Sequence, residues 1–209
     1  MRGRAFLLVS GFLLIHWAFA QKLVKKEVLY PSTKYIQIDA SKCFQLLLTT
    51  HQSDFVKVEA SMEGEYAEDL IIKLEEDGNN ISISSDFLPS FNVPNDKLSA
   101  HKVISIALNV TLPEYMMATV FGTYTNVTAK GVYNHLSISL ADGNCILHVI
   151  SEKTEVNTQT GEIRVVSAKG VVTAESIYGN ILKGAILGGD ENYLLKSVEG
   201  TIIVNNGNG

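Results

Sequence analysis

"TQTGEIRVVSAKGVVTAESIYGNILKG", residues 158–184, says nearly the same thing twice. A small polar residue stands three places before a glycine, and apolar residues alternate after it. Aligned on glycine, the phrase recurs at Gly143, Gly161, Gly179 and Gly200, at intervals of 18, 18 and 21 residues. Gly122, 21 residues before Gly143, is a candidate first member. Two places after each glycine stand Cys145, Ile163, Ile181 and Ile202; four places after stand Leu147, Val165, Lys183 and Val204, a column that Lys183 breaks. Three places before stand Leu140, Thr158, Ser176 and Ser197, and five before stand Ile138, Val156, Ala174 and Leu195.

A spacing of two between inward positions is strand periodicity, and helical spacing fits none of these columns. Repeats of about this length are the mark of solenoids, in which a unit that cannot bury its apolar face alone buries it on its neighbours. The glycines let the backbone turn, or pass close to the next coil where a Cβ would obstruct it. The expectation is an all-β chain whose residues 104–209 form a right-handed parallel β-helix, or β-solenoid, stacked in chain order. A left-handed hexapeptide helix is the rival, but Asn144 and Asn157 break its six-residue rhythm.

Upstream, "YIQID", "FQLLL", "FVKVE", "LIIKLEE", "NISISS" and "VISIALNVTL" alternate or are rich in β-branched residues, with "EDGNN" as turn chemistry. Residues 21–103 are therefore read as a less regular β-rich N-terminal part, continuous with the solenoid or capping it. "SDFLPSFNVPNDKLSAHK", residues 85–102, holds two prolines and reads as a long loop, either a contact surface or a cover for the end of the stack. The first half of "EGEYAEDLIIKL" has helix-favouring residues, yet its apolar run suits a strand as well, and no three-turn helix is expected beyond the leader.

Residues 1–20 are set aside from the fold. Arg2 and Arg4 precede the apolar run "AFLLVSGFLLIHWAFA", and Ala18-Phe19-Ala20 offers a small-residue cleavage site, the pattern of a signal peptide. Export is expected, to the periplasm or the cell surface, with no membrane span in the mature chain. Without the two leader arginines, 15 basic residues face 22 acidic ones. That balance argues against nucleic acid or anionic lipid as partner, since either needs clustered positive charge. Cys43 and Cys145 are the only cysteines. They could form one bridge in an oxidising compartment, but Cys145 occupies an isoleucine slot and a buried free thiol behaves as a small hydrophobe. Separate buried thiols are the favoured reading.

Catalytic signatures are thin. No G-x-S-x-G elbow and no Gly-rich nucleotide motif occurs, and His51, His101, His135 and His148 lack zinc-ligand spacing. "GGDENY", residues 188–193, offers Asp190, Glu191 and Asn192 as calcium donors, but an insertion loop in the 21-residue unit explains it as well. "EED", residues 75–77, reads as a charged rim rather than half of a glycosidase pair. Arg164 should project outward between inward Ile163 and Val165, without the acidic cluster a polysaccharide lyase would need. No enzyme activity, catalytic residue, metal or cofactor is expected. Sequons at Asn80, Asn109 and Asn126 fit a chain rich in Asn, Ser and Thr.

The run "LNVTLPEYMMATV" followed by "LSISLADGNC", "VNTQTGEIRV", "TAESIYGNIL" and "LKSVEGTIIV" resembles the bacterial β-strand-repeat family named "putative adhesins", common in the Bacteroidetes. The resemblance covers roughly residues 104–204. It implies a right-handed parallel β-helix, export to the periplasm or cell surface, and no known enzyme activity. Two departures stand out: the Gly122 unit is degenerate, and the chain ends at "NNGNG" without a recognisable sorting domain. The expected role is a binding, adhesion-like or scaffolding module of the cell envelope, with a glycan or an envelope protein as partner. A periplasmic accessory protein and a polysaccharide-active enzyme are the alternatives. Self-association is also expected, through an unprotected C-terminal coil ending at Val204.

Overall fold

In the computed structural model, which describes residues 22–29, 34–64, 67–91 and 105–205, the chain is all-β, with one 3₁₀ turn at Ala67–Asp69. Residues 1–20, read as a signal peptide, together with His101 and most of the 85–102 stretch, lie outside the described residues. The first half contains β1 (Lys22–Leu29), β2 (Tyr35–Asp39), β3 (Gln45–His51), β4 (Phe55–Glu63), β5 (Leu70–Asp77), β6 (Asn80–Phe87) and β7 (Ser105–Pro113). The second half contains β8 (Met116–Tyr124), β9 (Asn126–Asp142), β10 (Cys145–Thr158), β11 (Ile163–Val166) and β12 (Lys169–Ser176), then β13 (Ile181–Lys183), β14 (Leu187–Ser197) and β15 (Ile202–Asn205).

Each repeat folds as two strand segments separated by the glycine turn, so the stack consists of two parallel ladders. In the ladder that follows the turn, Leu46, Val127, Cys145, Ile163, Ile202 and Ile181 are successive partners. In the ladder that precedes it, Ile38, Val120, Ile138, Val156, Leu195 and Ala174 are. The columns read from the sequence are therefore the registers of the sheet. Apart from exposed Ile181 at the end of the stack, the inward residues of both ladders belong to or pack on one hydrophobic cluster. Cys145, wholly buried, sits in it as the isoleucine-slot reading expected, and Cys43 is buried as well; both are free thiols.

Chain order is not stacking order. The last unit, β14–β15, lies between the coil of β10–β11 and the coil of β12–β13. The expected sequential stack, and with it the exposed C-terminal coil at Val204, is corrected: Val204 is fully buried and the open end is the 169–183 unit. Side chains explain the exchange. Tyr193, Leu195, Ile202 and Val204 fill an interior coil, whereas the 169–183 unit sets Val172, Ala174, Ile181 and Lys183 in the matching columns, a small residue opposite Leu195 and a charged one opposite Val204. The backbone marks the crossover. Ser167 (φ 63°) and Gly170 (φ 88°) lie where the chain steps over the space that β14 and β15 fill, and a bulge separates Lys169 from Val171.

The glycine ladder follows the same order. A Cβ on Gly161 would collide with the Gly143 carbonyl, one on Gly200 with that of Gly161, and one on Gly179 with that of Gly200. Gly122 is not the first rung, because it pairs with Leu140. Thr125 takes that place: Gly143 lies against its carbonyl, and its buried hydroxyl donates to Ala40 O at 2.8 Å.

The N-terminal half adds to the same 15-stranded sheet, which is mixed rather than wholly parallel. β7 and β6 join the two ladders in parallel, and antiparallel β4, β1 and β5 finish their edges. Residues 85–87, read as the start of a loop, are strand instead. Ser85 continues the inward alternation of Ile81 and Ile83, and the turn follows at 88–91.

Candidate functional site

The outer face of the ladder preceding the turn carries three rows of side chains, one per strand, at about 4.8 Å per step. The first row is Tyr35, Met117, His135, Lys153 and Asn192; the second is Gln37, Thr119, Ser137, Glu155 and Leu194. The third is Asp39, Phe121, Ser139, Asn157 and Lys196. Strand alternation sends their inward neighbours Ile36, Ile38, Leu136, Ile138 and Val156 into the core, which fixes these side chains outward. Tyr35 and Phe121 are 47% and 41% exposed, on a face whose other side chains, Met117 and Leu194 apart, are polar.

At the centre, Glu155 accepts from Lys153 at 2.7 Å and lies 3.3 Å from His135 Nε2. The Lys153 hydrogen bond, with a smaller contribution from His135, holds the Glu155 carboxyl below its ordinary value. An ionised, paired carboxylate suits an acceptor role and is a poor proton donor. Beside it an open recess of about 490 Å³ is lined by Asn134, His135, Glu152, Lys153 and Asn192. Asn192 Nδ2 donates to Glu152 O at 3.4 Å, which ties the recess floor to the neighbouring coil.

Of the sequence candidates, His135 and Asn192 line this recess, and the others fall elsewhere or into structural roles. Asp190, Glu191 and Asn192 lie on β14, and Glu191 Oε2 is 2.9 Å from the Tyr193 hydroxyl. Among the described residues no cluster of three His, Cys, Asp or Glu side chains is placed to hold a metal ion. Glu75, Glu76 and Asp77 end β5 on its pairing with β6. Arg164 does project outward, where it donates to Glu162 Oε1 from Nε (3.1 Å) and from Nη2 (2.8 Å). His51 bonds Phe55 O at 2.9 Å and packs on its ring, and exposed His148 lies on the outer face of β10. Asn126 and Asn144 are turn caps: Asn126 Oδ1 accepts from Asn144 N and Asn144 Oδ1 from Glu162 N, both at 3.0 Å. Asn80 opens β6, and Asn109 faces solvent on β7. Burial pushes the Cys43 thiol up to about 11 and that of Cys145 up to about 12, which makes both inert.

Tyr35, Phe121, Lys153 and Glu155 were not singled out in the sequence. The signal was available for the repeat members. Eight, six and four places before each glycine stand His135/Lys153/Asn192, Ser137/Glu155/Leu194 and Ser139/Asn157/Lys196, the outward partners of the inward columns.

No family model and no curated protein matches the sequence. Among solved structures, a "putative cell adhesion protein" from Clostridium sporogenes is similar in fold, with a TM-score of 0.61 at 14% identity over 89% of this chain and 99% of that one. A "putative adhesin" from Bacteroides fragilis aligns over 88% of this chain and 97% of that one, with a TM-score of 0.42 at 13% identity. The first of these is named for cell adhesion, and its likeness to this chain is one of fold. Among the described residues no helix is long and apolar enough to cross a membrane.

Proposed function

We propose that this chain is a non-enzymatic, exported binding and scaffolding module of the cell envelope. In this reading its repeats form right-handed parallel coils, and an extended neutral glycan lies across the outer face of the β2–β8–β9–β10–β14 ladder. The observation that carries it is the coincidence on one flat face of two exposed rings, Tyr35 and Phe121, with rows of Gln37, Thr119, Ser137, Ser139 and Asn157. Aromatic rings bury the apolar faces of sugars while keeping a polar edge wet, and amide and hydroxyl side chains both donate and accept. The strand step is close to the rise of one sugar unit, so a polymer can meet equivalent groups coil after coil. A net charge of −5 favours a neutral polymer over a polyanion. The export pattern of residues 1–20 and the fold shared with a protein named for cell adhesion support the envelope setting.

Affinity electrophoresis of the mature chain through gels containing single neutral or acidic polysaccharides tests the proposal. Retardation by a neutral polymer is expected, relieved at least ~10-fold in affinity by Tyr35→Ala with Phe121→Ala, and with polymer length unchanged after incubation. No retardation by any polymer, or shortening of the polymer, would overturn it.

A further inference from the structure

The two ends of the stack are finished differently. At the N-terminal end the edge strands are β1 and β5, and both are studded with charge: Lys22, Lys25, Lys26 and Glu27 on one, Lys73, Glu75, Glu76 and Asp77 on the other. Charged edge strands are the usual protection against strand-to-strand association. At the other end, among the described residues, β12 pairs only with β14 and β13 only with β15, so each presents one unpaired backbone edge. Lys183 stands in an inward column at this exposed end and donates to Val172 O at 3.4 Å. Among the described residues the rim is left uncovered. Val171, Ile177, Tyr178, Ile181, Leu182 and Leu187 make up six of the thirteen exposed large apolar side chains of the described residues, and Tyr178 is 80% exposed.

We infer that this end coil is a homodimer interface, on which a second copy docks end to end through a two-fold axis, with the β12 and β13 edges pairing antiparallel with edges of the partner. Three observations select a second copy as occupant. The surface is self-complementary in kind, since unpaired strand edges and apolar side chains meet the same on the partner, as a two-fold contact requires. Its area is sufficient. β12 is eight residues long, so at ~3.3 Å per residue, with sheets ~10 Å apart and their side chains, each end face covers roughly 500 Å², or roughly 1,000 Å² for the pair. Charge agrees as well. The end unit carries Lys169, Glu175 and Lys183 on a chain of net charge −5, and end-to-end docking holds the two acidic bodies as far apart as the fold allows. The charged β1 and β5 edges cannot serve the bare end equally well, which disfavours head-to-tail filaments.

Sedimentation velocity of the full mature chain from roughly 1 to 200 µM tests the inference. The expected result is a monomer–dimer equilibrium that stops at twice the monomer mass. Val171→Lys with Leu182→Lys, both on exposed outward positions, should weaken dimerisation at least ~10-fold. Leu23→Lys, exposed on the guarded β1 edge, should leave it unchanged. Circular dichroism checks that each variant is folded, and hydrogen exchange on wild type should show the amides of 171–176 gaining protection with concentration. A strict monomer over the whole range, equal dimerisation of the Val171/Leu182 variant, or mass that grows without limit would each overturn it.

Discussion

Gly161→Ala probes the coil stacking directly, because the added methyl has nowhere to go. Its Cβ would sit inside the contact distance of the Gly143 carbonyl, a backbone atom held by the next coil on both sides. Relief requires prising apart the coils of β10 and β11, at the expense of ladder hydrogen bonds. Overpacking of this kind costs roughly 3–4 kcal/mol, at or just beyond the upper end of its usual range. For a domain of this size that lowers Tm by about 6–16 °C. Gly200→Ala should cost a similar amount, since Gly200 lies between Gly161 and Gly179 in the stack. Gly179→Ala meets the Gly200 carbonyl too, but from the free end coil, which can shift into solvent, so roughly half that loss is expected. Gly188→Ala has open space around its Cβ and should be neutral or gain up to about 1 kcal/mol. Thermal melts by circular dichroism rank the four. A Gly161→Ala variant melting within roughly 1 °C of wild type, or Gly179→Ala costing more than Gly200→Ala, would refute the reasoning.

Buried hydroxyls give a paired test. Thr125→Val removes the donor to Ala40 O and should cost about 1–3 kcal/mol, whereas Thr154→Val removes a buried hydroxyl without a partner and should be neutral or stabilising; urea melts read both. Cys43 and Cys145, with thiols raised by burial, should resist a thiol reagent at pH 8 in the native chain and yield two equivalents once unfolded; fast native labelling would contradict the burial. Asp86 is held well below the usual carboxylate range by hydrogen bonds from Lys73 (2.6 Å) and Lys42 (2.9 Å). Because the folded state binds that proton less readily than the unfolded state, the contribution is present above the unfolded value near ~4 and fades as pH falls below it. Tm of Asp86→Asn should therefore fall less steeply than that of wild type between about pH 4 and 2, and an identical acid limb would count against the pairing.

The inward columns were legible because each carries a chemical requirement: an apolar residue at the glycine's +2, a small polar residue at −3 and no Cβ at the glycine itself. The order of the coils was not. Phrases that share a register fit against any neighbour, so alignment alone cannot say which lies beside which. Only Ala174 and Lys183, two poor fits in the outermost columns of one unit, hinted that this unit belongs outside. Gly122 misled for a related reason. The coil below Gly143 offers a threonine carbonyl rather than a glycine, and Thr125 tolerates its side chain there because the hydroxyl finds Ala40 O. In the N-terminal half, strands were visible but repetition was not, since β4 to β7 stand in the chain between the coil of β2–β3 and that of β8–β9. The two rings of the candidate face escaped notice because Tyr35 and Phe121 precede the aligned repeats, and only the register of β2 against β8 puts them on one face, four residues apart along adjacent strands.

Disulfide trapping on the outer face tests the stacking order most directly. Arg164, Ile203 and Leu182 are successive outward partners, with Ile203 in the middle. Cysteines on adjacent strands lie within bridging reach, about 5 Å, while those two strands apart, at roughly 9–10 Å, do not. Oxidation of Arg164→Cys/Ile203→Cys should give an intramolecular bridge, detected by mass and by loss of free thiol, and Arg164→Cys/Leu182→Cys should stay reduced. A bridge in the 164/182 pair and none in the 164/203 pair would mean that the repeats stack in chain order after all.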